Sequence, residues 1–418
     1  MNDCHVSILS HFNSQTRWWQ SNYEKFNFWP ARKNKGFTTH YFLTTLNAVM
    51  ASHDSNYKIH VEDYADSKTG FYLIFYGDPG SMIENQGLGF VTPEQVDKIN
   101  SGSLKLFVVF THETFDTGVS FNDWFLNFCQ LLNEIEIKKF HSVLILINTH
   151  CADAWPNDPR CQISYYPWLE ADSQSMFLQK KMPRPVIDFE KKKKYFINLN
   201  FRIRAHRYLM VSYLKYQQVD HLGHLSWKNP QNQTYKEVSN SRQHQIQLGN
   251  FDNDHEFFHF IRNNRLPSVE LDQLTHDTVW TGPNEFYQDA CVDLVSETHA
   301  ELFGNVILTE KTFKPLAHGL PFVFNASQYH LEHLKTLGYH SFPELFDESY
   351  DQMPSSMQKI ALVGDQIVNF CRSPDKINFL KNSSETLEKI QHNQQLFWTK
   401  NHADTLGKLL WKFWNQSA

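Results

Sequence analysis

Apolar residues fall into short unbroken runs along this chain, separated by stretches with helical spacing. Phe71 to Tyr76 (FYLIFY), Leu104 to Phe110 (LKLFVVF) and Ser142 to Ile147 (SVLILI) are runs of this kind. Runs of that length bounded by turns fit strands buried on both faces. The first is closed by Gly77-Asp78-Pro79-Gly80, a strong turn. Tyr41 to Met50 and Trp124 to Ile137 have the spacing of helices, the second clearly amphipathic. Lys193 to Asn200 opens the second half as a further strand, and a helix bearing Arg202, Arg204 and Arg207 follows to about Gln217. Val219-Asp220-His221-Leu222-Gly223 reads as a short strand and turn. Strands alternating with helices predict parallel, doubly wound sheets.

At 418 residues the chain is too long for one ordinary domain, and two are expected. A loop-rich section with five prolines lies between Cys151 and Pro185, and composition shifts near its end. The expected division is therefore 1–185, 186–355 and a helical extension over 356–418. The last helix carries Leu406, Leu409, Leu410, Trp411 and Trp414, an apolar stripe that core packing would cover. Apart from the runs already named, residues 1–100 are aromatic and polar and suggest no motif.

Composition removes several function classes. Hydrophobic content of 41%, with 34 Phe, 17 Tyr and 11 Trp, can fill large cores, and only 20% of residues are charged, unlike a disordered chain. A formal net charge of −6 supplies no global basic field to recruit nucleic acid. Six cysteines (Cys4, Cys129, Cys151, Cys161, Cys291, Cys371) without a CxxC pair fit neither a disulfide scaffold nor a Cys-rich zinc site. Reduced thiols point to the cytosol. The N-terminus lacks the charged and apolar regions of a signal peptide, and no apolar run reaches the ~18 residues of a membrane span. A cytoplasmic protein without stable membrane insertion is expected.

The densest chemistry lies between Val292 and Ala326, VDLVSETHAELFGNVILTEKTFKPLAHGLPFVFNA. It reads as strand, loop, helix, strand. Thr309 is the expected N-cap, Glu310 and Lys311 stand in the first turn, and Gly319 before Pro321 is the expected C-cap. A βαβ unit puts the loop and helix start at the carboxyl edge of a parallel sheet, where such sheets bind ligands. Free N–H groups and the helix dipole favour an anion there. Lys311 suits a diphosphate, and Glu310 or Glu297 would accept from ribose hydroxyls. A nucleotide-sugar site needs this chemistry, although Glu and Lys also occur at helix starts as solvated residues. Among the three arginines after Asn200, position favours Arg204 for phosphate. Glu113, just past a strand end, could take a proton from an acceptor hydroxyl, but locally it reads as an ordinary loop glutamate. His255-Glu256-Phe257-Phe258-His259 matches the zinc-protease pattern HExxH; among 22 histidines a chance match is unsurprising, and Glu270 and Glu285 are only nominal third ligands.

With these residues in order, residues 105 to 330 resemble the α-1,3-fucosyltransferase family. That family consists of inverting enzymes with two Rossmann-like, doubly wound domains facing a cleft, the GT-B fold. Its donor signature of a glutamate-bearing strand end, Tyr-Val-Thr-Glu-Lys, a helix and Gly-x-x-Pro-Val is similar to Ser296-Glu297-Thr298, Ile307-Leu308-Thr309-Glu310-Lys311 and Gly319-Leu320-Pro321-Phe322-Val323. A strand ending in Asn, an Arg-bearing helix and Val-Asp-x-x-Gly correspond to Asn200, Arg204 and Val219 to Gly223, and Tyr165-Tyr166-Pro167-Trp168 resembles the family's Tyr-x-x-Pro-Leu-like segment. The family's Gly-Glu-Asn loop corresponds to His112-Glu113-Thr114, and the loop between Glu297 and Glu310 is longer here. Phe346 to Asp351, taken with TEKTFKP, also resembles glycosyltransferase-like proteins of phages and marine bacteria. The resemblance implies a GT-B-like glycosyltransferase with C-terminal helices, inverting and with no obligatory metal or cofactor. The donor is a nucleotide-diphosphate sugar bound by Asn200, Arg204, Ser296, Glu297, Thr309, Glu310 and Lys311. Glu113 is the base, and the acceptor is a glycan hydroxyl. The alternatives are a phage enzyme that glycosylates DNA bases, a non-catalytic nucleotide-sugar-binding protein, and a zinc hydrolase.

Overall fold

The computed structural model describes residues 4–10, 57–63, 70–76, 91–110, 121–151, 157–200, 204–229, 232–239, 256–266, 268, 281–300 and 305–416. The predicted helix at Tyr41 to Met50 and the turn at Gly77 to Gly80 lie outside them, as do Arg202, Glu113 and His255. The chain divides into two compact units: 1–149, 153–175 and 401–418 form the first, and 150–152 with 176–400 the second. The partition differs from the expected one in two places: 150–152 and 176–185 fall in the second unit, and 356–418 is divided, with 356–400 in the second unit and 401–418 in the first.

The first unit contains β1 (Cys4–Ser10), β2 (Tyr57–Asp63), β3 (Gly70–Tyr76), α1 (Pro93–Ser101), β4 (Leu104–Phe110), α2 (Phe121–Glu134), β5 (Val143–Ile147) and, beyond β6 (Thr149–Cys151), β7 (Cys161–Tyr165). Its six-stranded sheet runs β2-β1-β3-β4-β5-β7, with every pair parallel. Alternation along β4 explains why both faces are covered. Leu104, Leu106, Val108 and Phe110 pack with Trp124, Phe128 and Leu132 of α2. Phe107 and Val109 face the other way, into a core completed by Ala403, Leu406, Leu410 and Phe413 of the last helix. The predicted terminal stripe is therefore core, except that Trp411 keeps 37% of its surface exposed.

The section expected to be loop-rich holds β7 and α3 (Trp168–Gln179). Its prolines flank these elements instead of breaking them, and Pro167 sits directly before α3. The helix escapes periodicity because Glu170, Asp172, Ser173 and Gln174 are buried along with its apolar residues.

The second unit follows with β8 (Lys194–Asn200), α4 (Ala205–Tyr216), β9 (Gly223–Trp227), α5 (Tyr235–Ser239), α6 (Glu256–Asn263), α7 (Asn284–Asp289), β10 (Ala290–Ser296), β11 (Asn305–Ile307), α8 (Glu310–His318), β12 (Phe322–Asn325) and α9 (His330–Thr336). Then come α10 (Met357–Arg372), α11 (Pro374–Asn382) and α12 (Ser384–Thr399), while α13 (His402–Asn415) lies in the first unit. The strand predicted at Val219 starts only at Gly223, because Asp220–Leu222 forms a tight 3₁₀ turn.

The four-stranded sheet runs β12-β10-β8-β9, all parallel. The chain goes from β8 outward to β9 on one side, then returns to add β10 and β12 on the other. Strand order therefore reverses between β8 and β10, the switch point at which open parallel sheets leave a crevice at their carboxyl edge. Right-handed crossovers put α4 and α8 on opposite faces. There α4 packs on α10 and α8 on α12. Gly364 of α10 makes the first contact close, since a Cβ would stand 2.4 Å from the Tyr213 ring. Both units are thus Rossmann-like parallel α/β assemblies, and no helix among the described residues is long and apolar enough to cross a membrane.

Candidate functional site

The carboxyl edge at the switch point is built by β8 and β10. Asn198 donates through Nδ2 to Ser296 Oγ at 3.2 Å and to the Leu294 carbonyl. Asn200 Nδ2 donates to Asn198 Oδ1 at 2.6 Å, and the Asn200 amide donates to Ser226 Oγ at 3.0 Å. This polar relay joins three adjacent strands. The predicted residues Asn200 and Ser296 both belong to it, and Asn198, which sequence reasoning missed, is its centre. One acceptor remains open, because the buried Asn200 Oδ1 has no hydrogen-bond partner among the described residues.

Glu297, the first residue beyond β10, ties two helix N-termini to this edge. Its backbone carbonyl accepts from Arg207 Nε at 3.2 Å and Nη2 at 2.8 Å and contacts His206 Nε2 at 2.8 Å, all from the first turn of α4. Its fully buried carboxylate accepts from the Thr298 amide at 2.9 Å, the Thr309 amide at 3.1 Å, the Thr309 hydroxyl at 2.5 Å and the Thr312 hydroxyl. Burial works against its charge, but His330, Lys311 and the two threonine hydroxyls outweigh it and hold the carboxyl below its ordinary range. The sequence offered Glu310 or Glu297 to ribose hydroxyls. The structure gives its carboxylate another task, as an internal brace with its oxygens already occupied. Arg207 is likewise a brace, 2% exposed. Arg204 is the N-cap residue of α4 and stands at the mouth of that helix.

The start of α8 behaves as its sequence predicts. Thr309 caps it, accepting from the Lys311 amide, and Gly319 ends it at φ 69°, a conformation suited to glycine. Lys311 Nζ donates to Glu310 Oε1 at 2.5 Å, Thr298 Oγ1 at 2.9 Å and Thr309 Oγ1 at 3.4 Å. Thr309, Glu310 and Lys311 are thereby brought to one edge with Ser296 and Glu297. At this start the Thr309 amide is taken by Glu297, the Lys311 amide by Thr309 Oγ1 and the Thr312 amide by the Thr309 carbonyl, which leaves an arriving anion the Glu310 amide and a lysine already held in place.

Behind the edge stands His330 of α9, whose Nε2 is 2.9 Å from Thr312 Oγ1. Burial pushes its pKa down to about 4, against the pull of Glu297. On β10, Asp293 is pushed up to about 8 by burial, with Lys314 and a hydrogen bond from Tyr287 opposing the rise. Lys314 of α8 is pushed down to about 8 by burial, with Glu310 the first charge to oppose it. Neither His330 nor Lys314 was picked out by sequence. The available signal for Lys314 was its spacing, on the same helix face as Glu310 and Lys311.

The remaining expectations are not joined to this cluster. Glu256 of the HExxH segment is exposed on α6, where Tyr216 donates to it at 3.1 Å, and His259 is exposed. Among the described residues no three His, Cys, Asp or Glu side chains are grouped to hold a metal. Two clefts of about 570 and 540 Å³, one beside Arg184 and Gln391 and one beside Gln218 and Arg372, contain no predicted site residue. No family model matches the chain and no curated protein is similar to it.

Proposed function

We propose that this chain is a glycosyltransferase of the GT-B type whose second unit binds a nucleotide-diphosphate sugar. One observation carries this reading. The sheet of the second unit reverses its strand order between β8 and β10, and the capped start of α8, with Lys311, stands at that carboxyl edge. The diphosphate would lie against the start of α8 at the Glu310 amide and Lys311, with Arg204 at the start of α4 as a second contact. Asn200 Oδ1, without a partner among the described residues, and Glu310 would accept from hydroxyls of ribose or sugar.

The reaction is a direct displacement. The acceptor oxygen bonds to the anomeric carbon as the bond from that carbon to the diphosphate oxygen breaks, and the acceptor proton passes to a base, for which Glu113 is the candidate. Lys311 and the helix dipole stabilise the charge that develops on the departing diphosphate. A glycan hydroxyl is the acceptor that the fucosyltransferase resemblance suggests. A net charge of −6 favours it over DNA.

The test is a thermal-shift panel of GDP, UDP, ADP, CDP and dTDP, with and without EDTA. A ligand at 100-fold excess over its Kd contributes ~2.7 kcal/mol, a readily visible shift. One diphosphate should stabilise the protein, Lys311→Ala should abolish the effect, and EDTA should leave it unchanged. A protein stabilised by none of the five, yet destabilised by EDTA alone, would overturn the proposal.

A further inference from the structure

We propose that Asn200 Oδ1 accepts a hydrogen bond from a ribose hydroxyl, so that the site takes ribonucleotides and rejects the analogues that lack that hydroxyl. The role rests on the nucleotide-sugar site proposed above and adds what selects its nucleoside.

The polar relay at the carboxyl edge fixes which pole of Asn200 is presented. Asn198 bonds the Leu294 carbonyl, and a carbonyl can only accept. Asn198 therefore turns its amino group to β10, where Ser296 Oγ stands 3.2 Å from it. Its Oδ1 then faces Asn200. That oxygen needs a donor, and the Asn200 amino group, 2.6 Å away, supplies it. A side-chain amide is planar and its two poles diverge, so Asn200 Oδ1 points away from Asn198, at the last residue of β8. The Asn200 backbone amide donates to Ser226 Oγ at 3.0 Å and pins the residue to β9. Neither side-chain amide can flip without setting oxygen against oxygen. The relay ends on an acceptor.

Asn200 is 1% exposed, and among the described residues its Oδ1 has no hydrogen-bond partner. Buried polar atoms are normally bonded, and one left open costs free energy that a bound donor recovers. The carboxylates of the same edge are committed elsewhere, Glu297 to the amides and hydroxyls around it and Glu310 to Lys311. Of the groups that a nucleotide sugar carries, ribose fits best. Phosphate oxygens only accept, and Oδ1 would repel them. The transferred sugar must stay within reach of the acceptor substrate, so its hydroxyls do not suit an edge this deeply buried. Ribose takes no part in the reaction and brings two vicinal hydroxyls, each able to donate. A deoxyribose would leave Oδ1 buried and unpaired. A site built to bond a hydroxyl discriminates strongly against the analogue without it.

The experiment is titration calorimetry of the full chain with UDP, GDP, ADP and CDP. Each is compared with its 2′-deoxy and 3′-deoxy forms and with the matching fluoro forms, in which fluorine replaces the hydroxyl. For the diphosphate that binds wild type, loss of one of the two hydroxyls should weaken binding about tenfold or more. The fluoro form should be weakened equally, because fluorine keeps the size of the group but donates no proton. Asn200→Ala, with circular dichroism to confirm folding, should weaken the ribonucleotide about tenfold and its deoxy form by less than about threefold, so that the preference collapses. A merely structural loss would weaken both alike and would overturn the role. If Asn200→Ala does not fold, the wild-type fluoro comparison decides, and fluoro forms that bind as well as the parent overturn it. Where a diphosphate binds and Lys311→Ala abolishes that binding, equal affinity for the deoxy forms overturns the role of Asn200 and leaves the proposed function intact. A wild type that binds none of the diphosphates overturns both.

Discussion

The two sheets share a strand order about their first strands, one neighbour outward and the rest added on the other side, yet they bury different chemistry. In the first unit β4 and β5 are filled with Leu, Phe, Val and Ile, and their faces are closed by α2 on one side and α13 on the other. In the second, β8 and β10 bury Asn198, Asn200, Asp293 and Ser296, and Glu297 follows directly. Among the described residues three lysines are buried, Lys105, Lys314 and Lys359, and the first two make a contrast. Burial pushes both down to about 8. Lys105 donates to the carbonyls of Phe413 at 2.8 Å and Trp414 at 3.1 Å, closing the C-terminal end of α13, while Lys314 has no such acceptor among the described residues. A buried cation with its acceptors in place belongs to the scaffold.

The largest effects should come from the braces and cores. Glu297→Ala strands the buried hydroxyls of Thr309 and Thr312 and should cost ~3–5 kcal/mol in denaturant unfolding. A loss below ~1 kcal/mol would show that the carboxylate does not tie α8 to β10. Phe413→Ala, which opens the α13 core, should cost ~3–5 kcal/mol without changing ligand response in the second unit. Next comes the lysine pair. Lys105→Met loses two carbonyl acceptors and should cost ~1–2 kcal/mol. Lys314→Met, by removing a buried unpaired charge, should leave the ligand-free protein within ~1 kcal/mol of wild type, on the stabilising side. Equal losses from the two would erase the distinction.

The smallest effect is a pH slope. His330 is held at about 4 when folded against 6.5 ordinarily, so the unfolded chain binds its proton first. Its contribution to stability is complete above pH 6.5 and is lost as pH falls toward 4. Asp293, raised from 3.8 to about 8, contributes with the opposite sign across that range. The readout is therefore the difference between His330→Gln and wild type, which should shrink steadily from pH 6.5 to 4. A constant difference would mean that His330 titrates normally.

Local chemistry was legible in the sequence and long-range chemistry was not. Thr309, Glu310, Lys311 and Gly319 were readable because caps depend on neighbours within one turn. The runs at Leu104 to Phe110 and Ser142 to Ile147 were readable because both faces of those strands are buried. The helix from Trp168 was hidden because tertiary packing buries its polar residues, which erases the amphipathic period. Glu297 was placed at the right edge but given the wrong neighbours. Its brace depends on Thr312, 15 residues on, and on His206 and Arg207, which reach it across about 90. Lys314 was passed over because burial, invisible along the chain, is what sets it apart from an ordinary surface lysine.

The return of α13 to the first unit has a consequence for the order of events during synthesis. The strands of that unit leave the ribosome early, but Leu406, Leu410 and Phe413 emerge only after the whole of 176–400 has been made. Until then Phe107, Val109, Leu144 and Leu146 lack their cover. Domains usually fold from the N-terminus onward as they are synthesised. Here the second unit is complete first, and the earlier one waits with an apolar face open, the interval in which a holdase chaperone would have the most to bind.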